Sequence, residues 1–126
     1  MEHTRQALDA FTQGYVTAAL WSSTDDDGEP LDGLYGLDDI APSTLASMAA
    51  DCRDFQESNA ADLEAFAEIT GRPADHAGHD FWLTRNHHGA GFGDRGAGEV
   101  GRRLTDMAHA YGEIDLYVGD DGSIYG

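Results

Sequence analysis

Apolar residues recur at helical spacing along three stretches of the chain. Leu8, Phe11, Tyr15, Ala18 and Ala19 fall at three- and four-residue steps and predict a helix over 4–21, with Thr4 as its cap and Gly14 as a weak point. Leu45, Met48, Cys52 and Phe55, then Leu63, Phe66 and Ile69, predict a second helix over 43–69. Pro42 and Ser43 open it, Gly71 and Pro73 close it, and Ser58-Asn59 is the place for a break. Asp51, Asp54, Glu57, Asp62, Glu64 and Glu68 fall mostly off that stripe, as on a solvated face. Val100, Leu104, Met107, Ala108 and Tyr111 predict a third helix over 98–111, stopped by Gly112. Residues 22–39, rich in Ser, Asp, Gly and Pro, read as a loop that Leu31, Leu34, Tyr35 and Leu37 can pin to the core.

Elsewhere the period changes to two. Ile114, Leu116 and Val118 alternate with Asp115 and Tyr117, and Asp120-Asp121-Gly122 turns the chain, which predicts a C-terminal hairpin. Residues 78–96, GHDFWLTRNHHGAGFGDRG, sort the same way. Phe81, Leu83 and Arg85 take one side, and Asp80, Trp82, Thr84 and Asn86 the other. With His87-His88 as the turn, Leu83 lies opposite Phe92, and Asn86, Thr84 and Trp82 lie opposite Gly89, Gly91 and Gly93. The predicted order is ααββαββ. That is a single α+β domain over 1–126, with an antiparallel sheet of about four strands packed on helices and the loop 22–39 inserted between the first two. An exposed edge of the last hairpin could pair with a second copy of the chain.

The predicted central hairpin has one face bare of side chains on its return strand. Glycine within a strand often marks close approach of a ligand or another backbone. Trp82 beside that shelf suits a planar, nucleotide-like ligand, and Arg85 and Arg95 suit its phosphate or carboxylate. The alternative is a helix sealing the glycine face, with Arg85 and Asp94 satisfied by neighbours.

Charge narrows the partners. The chain carries 24 acids against seven bases, all arginine, for a net charge of −17. Such a surface repels nucleic-acid backbones, so direct DNA or RNA binding is disfavoured. It can serve solubility or high salt, imitate a nucleic acid toward a basic protein site, or gather a metal. No apolar run reaches the length of a membrane span, and the N-terminal residues do not read as an export signal. One cysteine, Cys52, in an apolar stripe fits a reducing compartment and a buried thiol.

Motifs for catalysis are thin. His79, His87, His88 and Asp80 are donors enough for zinc, but the adjacent pair in a turn cannot easily share one ion, and no H-E-x-x-H or C-x-x-C occurs. Asp25, Asp26, Asp27 and Glu29 look calcium-like, yet Leu34 stands where the loop pattern needs a bidentate Glu. A phosphate-binding loop is excluded by the lack of lysine, and no serine lies in G-x-S-x-G. No metal or cofactor is expected.

The segment GHDFWLTRNHHGAGF, followed by Asp94-Arg95-Gly96 and then RLTDMAHAYGEIDLYVGDDGSIY, resembles a family of small acidic proteins encoded by many bacteriophages. ALWSSTDDDGEPLDGLYGLDDIAPSTLASMAADCRDF is similar to that family's first half. The family commonly has Gly where His87 stands and Trp where Gly93 stands. The resemblance implies a phage origin and a place in the host cytoplasm, and it implies no activity. The residues shared with its motif, His79, Asp80, Trp82, Thr84, Arg85, Asn86, His88, Asp94 and Arg95, form the expected ligand-binding set. The readings that follow are a non-enzymatic accessory protein that binds and blocks a host protein, a module that sequesters a small nucleotide-like ligand on the hairpin, and an enzyme pairing His79 or His88 with Asp80.

Overall fold

The computed structural model describes residues 8–25, 27–88 and 91–126. Within them lie α1 (Ala10–Ser22), α2 (Pro42–Ser58), α3 (Ala60–Thr70), α4 (Ala74–Arg85), α5 (Glu99–His109), β1 (Tyr117–Val118) and β2 (Ile124–Tyr125). Short 3-10 turns occupy Leu31–Gly33, Leu37–Asp39 and Phe92–Asp94.

The periodic stretches form helices, but α1 begins at Ala10, behind the non-helical Leu8 and Asp9, and not at the predicted residue 4. Asp9 caps α1 by accepting from the Thr12 N–H at 2.8 Å, whereas Thr4 lies outside the described residues. Pro42 sits in the first turn of α2, where its missing N–H costs nothing. The predicted second helix is two, because Asn59 interrupts it. Its side chain donates to the Phe55 carbonyl at 2.9 Å, and α3 begins afresh behind it. Leu31 anchors the acidic loop in the core, Tyr35 and Leu37 pack at its edge, and Leu34 projects into solvent.

The α+β expectation is overturned. The fold is mainly helical, and the sheet among the described residues is the two-stranded antiparallel pair β1–β2, in register Tyr117 with Tyr125 and Val118 with Ile124. No central hairpin forms at 80–93, because residues 74–85 are helix α4 and residues 92–94 a 3-10 turn. Helix α4 is buried on nearly every side: Ala77, Gly78, Asp80, Phe81, Trp82, Leu83, Thr84 and Arg85 are all enclosed. It therefore shows no amphipathic stripe. Its buried polar residues, each partnered inside the protein, produce an alternation that mimics a strand.

Helices α1 and α4 make the largest contact between any two elements. Glycine allows it. A Cβ built on Gly14 would lie 1.8 Å from the Asp75 carbonyl oxygen, and one on Gly78 1.8 Å from the Phe11 carbonyl oxygen. The two backbones touch where no side chain fits. Around this crossing Phe55 stacks on Phe81 at 4.1 Å between ring centroids, Tyr15 meets Trp82 edge-on at 5.3 Å, and Phe66 meets Phe92 edge-on at 5.3 Å. Ile40 pairs with Ile124, with the Ala41 N–H donating to the Ile124 carbonyl at 2.9 Å, and this ties the acidic loop to the C-terminal hairpin.

Candidate functional site

The bare-faced shelf does not exist. Gly91 is buried against α4, where a Cβ would come within 2.0 Å of Thr84 Oγ1; Gly93 is exposed in the 3-10 turn; Gly89 lies outside the described residues. The residues expected to line the shelf divide between the interior and the surface.

Asp80, Trp82, Thr84 and Arg85 are interior. Asp80 is fully enclosed and receives two guanidinium forks: Arg72 at 3.1 Å through both Nε and Nη2, and Arg95 at 3.2 and 2.8 Å. Trp82 donates its indole N–H to Ser22 Oγ at 2.7 Å. Thr84 Oγ1 accepts from the Phe92 N–H at 3.1 Å, which fixes the loop after α4. Arg85 donates to the Gly112 and Tyr111 carbonyls at 2.7 Å each, to Asp51 at 2.8 Å and to the Tyr15 hydroxyl at 3.0 Å. Half-buried Asn86 accepts from the Ile114 N–H at 2.8 Å and donates to the Trp82 carbonyl. Every one of these groups is satisfied by the protein itself, which is the condition for burying polarity at all.

His79, His88 and Asp94 reach the surface, and Arg95 is half-buried. Two openings lie beside them. The first, of about 300 Å³, runs between α1 and α4 past Thr17, Asp75, His76 and His79. Trp21, 53% exposed, lies against His79, with ring centroids 5.7 Å apart and the planes tilted by 35°. The second, of about 270 Å³, lies between Thr84, His87, Asp94, Thr105 and His109. There His87, held at φ 57°, stacks on His109 at 4.3 Å, with its Nε2 3.8 Å from a Glu113 carboxylate oxygen. Trp21, Arg72 and His76 escape sequence reading. Only the exposed position of Trp21 at the end of an apolar helix leaves a trace there.

Among the described residues no group of three or more His, Cys, Asp or Glu is placed to hold a metal ion. Burial pushes the Cys52 thiol pKa well up, so it stays protonated and unreactive. No described helix is long and apolar enough to cross a membrane.

Burial holds the His79 pKa below its ordinary value; Asp80 opposes this, and the charges of Arg95, Arg72 and His76 add to it. The unfolded chain therefore binds this proton more readily than the native protein. The contribution of His79 to stability is complete above the ordinary histidine pKa of about 6.5 and is lost as pH falls below it. Melting curves between about pH 8 and 5 should show the native protein losing more stability than His79→Gln over that range. Parallel curves would remove the effect.

No family model matches the chain, and no curated protein or solved structure matches it.

Proposed function

We propose that this is a phage-encoded accessory protein that works in the host cytoplasm by binding, and blocking, a cationic surface of a host protein. The supporting observation is where the arginines go. Arg85 is buried on Asp51, Arg72 and Arg95 turn inward onto Asp80, and Arg102 and Arg103 pair with Glu99, Asp106 and Asp62. Three arginines turn inward, Arg53, Arg102 and Arg103 stay at the surface, and carboxylates dominate the exterior. Asp27, Glu29 and Asp32 are exposed in the acidic loop, and Glu113, Asp115, Asp120 and Asp121 around the C-terminal hairpin; the Ile40–Ile124 pairing joins those segments. These carboxylates, none paired with an arginine among the described residues, form the field a basic nuclease, defence component or transcription protein would recognise in place of a nucleic acid.

Some acids have structural work and cannot serve as probes. Asp25 accepts from the Asp27 and Glu29 N–H groups, Asp39 from Gly36, and Asp121 from Ser123 and the Tyr125 hydroxyl. The probe is therefore Asp27→Asn, Glu29→Gln, Asp32→Asn and Asp115→Asn together, with Glu64→Gln and Glu68→Gln on α3 as the control. Capture of a bacterial partner by the tagged protein is expected to fall at least about tenfold between roughly 0.05 and 0.5 M salt, and comparably in the first variant at low salt. Capture indifferent to both overturns the reading.

A further inference from the structure

Each strand of the C-terminal hairpin has one residue facing in and one facing out. Val118 and Ile124 pair on the inner face, where Ile124 is fully buried. Tyr117 and Tyr125 pair on the outer face, with ring centroids 5.8 Å apart and planes 27° from parallel. Tyr117 is 57% exposed, so the core makes little use of it. Tyr125 is held in place. Its hydroxyl donates to Asp121 at 2.6 Å, and its ring lies against Gly119, where a Cβ would come 2.6 Å from it. Asp121 also accepts from the Ser123 N–H at 3.0 Å, which fixes the carboxylate. Each of its oxygens thus accepts one hydrogen bond and keeps a lone pair for another.

An aromatic face beside a preset carboxylate discriminates among cations. A guanidinium is planar, stacks on a tyrosine ring and forks onto a carboxylate, whereas an ammonium is a strongly hydrated point charge. The interior of this protein already makes that arrangement. The Tyr111 hydroxyl donates to Asp54, and the Arg85 guanidinium lies 5.6 Å from the Tyr111 ring centroid. The hairpin repeats the tyrosine–carboxylate pair at the surface, where Asp115 and Asp120 are exposed in the same segment and a net charge of −17 draws cations in. We propose that the outer face of this hairpin is a docking surface for an arginine side chain of the cationic partner, with the guanidinium laid on Tyr117 and turned toward Asp121. Such a site rests on the acidic exterior as the partner-binding surface. It adds a preference that charge alone does not give, arginine over lysine.

The test is titration of the full chain with two short peptides of equal charge, one alternating arginine with glycine and the other lysine with glycine. Binding is followed by calorimetry and by the amide resonances of the hairpin. The arginine peptide is expected to bind at least about threefold more tightly than the lysine peptide and to shift the amides of 117–125. Tyr117→Leu, at an exposed position, should bring the arginine peptide down to the lysine level and leave the lysine peptide nearly unchanged. Tyr117→Thr, a good strand residue, serves if Tyr117→Leu folds poorly. Tyr117→Phe keeps the ring and should keep the preference. Equal binding of the two peptides, no saturable binding of either, a preference that survives removal of the ring, or one lost equally in Tyr117→Phe each overturns the arginine site. Self-association of the chain that Tyr117→Leu abolishes overturns it too, since a second copy then occupies this face. Equal but salt-sensitive binding removes the arginine site alone and leaves the acidic surface to stand or fall by the capture experiment.

Discussion

Gly78→Ala is expected to cost more than about 3 kcal/mol of folding stability, against the usual direction of that substitution. In a helix interior alanine is ordinarily better than glycine by about 1 kcal/mol. Here the added Cβ would lie 1.8 Å from the Phe11 carbonyl oxygen and 3.0 Å from the Tyr15 nitrogen, both backbone atoms that no rotamer change can move. Relief requires α1 and α4 to separate by more than an ångström along their whole contact. The price is the packing of Phe81 against Tyr15 and Phe11, at 5.2 and 6.0 Å, and the hydrogen bond from Trp82 to Ser22. Gly14→Ala meets the Asp75 carbonyl at the same 1.8 Å and should behave alike. Gly36→Ala is the internal standard: its Cβ meets nothing within 4 Å and its φ is −135°, so the change should stay within about 0.5 kcal/mol. Urea unfolding of the three variants decides it. A Gly78→Ala midpoint equal to that of the unaltered protein would mean the two backbones do not touch.

That helix contact also shows what the sequence could reveal. Gly14 reads as a weakness in the first helix because propensity counts only the cost of glycine within its own helix. The compensating fit against Asp75 is a tertiary fact with no local mark. The same separation of local from tertiary signal runs through the molecule. Helices α2, α3 and α5 each expose a face, so burial leaves a 3.6-residue stripe that locates them to within a few residues, and even the break at Asn59 is marked by a polar pair; α1, nearly as enclosed as α4, is found by its run of apolar and small residues, and its start at Ala10 is misplaced. The C-terminal hairpin is legible from its alternation and its Asp-Asp-Gly turn. Helix α4 is not, because a helix enclosed all round has no stripe. Asp80 and Thr84 look like an exposed polar face, and Arg85 like a surface charge, until their partners are known, and those partners are Arg72, Arg95, Phe92, Tyr15, Asp51, Tyr111 and Gly112.

The candidate site divides along the same line. The density of polar and aromatic residues in 79–95 correctly marks side chains with specific partners, but composition cannot say whether a partner is a ligand or the protein. For Asp80, Trp82, Thr84, Arg85 and Asn86 the partner is the protein. For His79 it is in part Trp21, which stands far away in the chain and joins it only because Gly14 and Gly78 let the helices close. The opening between α1 and α4 is thus a product of the same glycines that hold the core, and a variant that separates α1 from α4 should lose both together.

Arg85→Met is expected to cost about 3–5 kcal/mol, and Arg85→Lys nearly as much. Arg85 is 2% exposed and bonds α1, α2 and the segment after α5 from a position on α4. Its guanidinium lies 5.7 Å from the Phe81 ring centroid and 5.6 Å from that of Tyr111, so the aromatic core encloses the charge as well as the stem. Methionine fills the volume and adds no buried charge. It orphans the Tyr111 and Gly112 carbonyls, takes the donor from the buried Tyr15 hydroxyl, and leaves the half-exposed Asp51 carboxylate unpaired. Burial raises the Tyr15 pKa, with the Arg85 charge opposing it, so the hydroxyl stays neutral in either protein. Lysine keeps the charge, but a single ammonium with three protons cannot span four acceptors set out for a planar fork. The loss should be local before it is global. With the Tyr111 and Gly112 carbonyls released, the hydrogen bonds left between this segment and the body of the fold, among the described residues, are the Tyr111 hydroxyl on Asp54, the Asn86–Ile114 bond and the Ile40–Ile124 pairing. Amide exchange across 114–125 should therefore accelerate under conditions where α1 and α4 remain protected. If Arg85→Lys unfolds at the urea midpoint of the unaltered protein and exchanges at its rate, the fork is not what holds this end of the molecule.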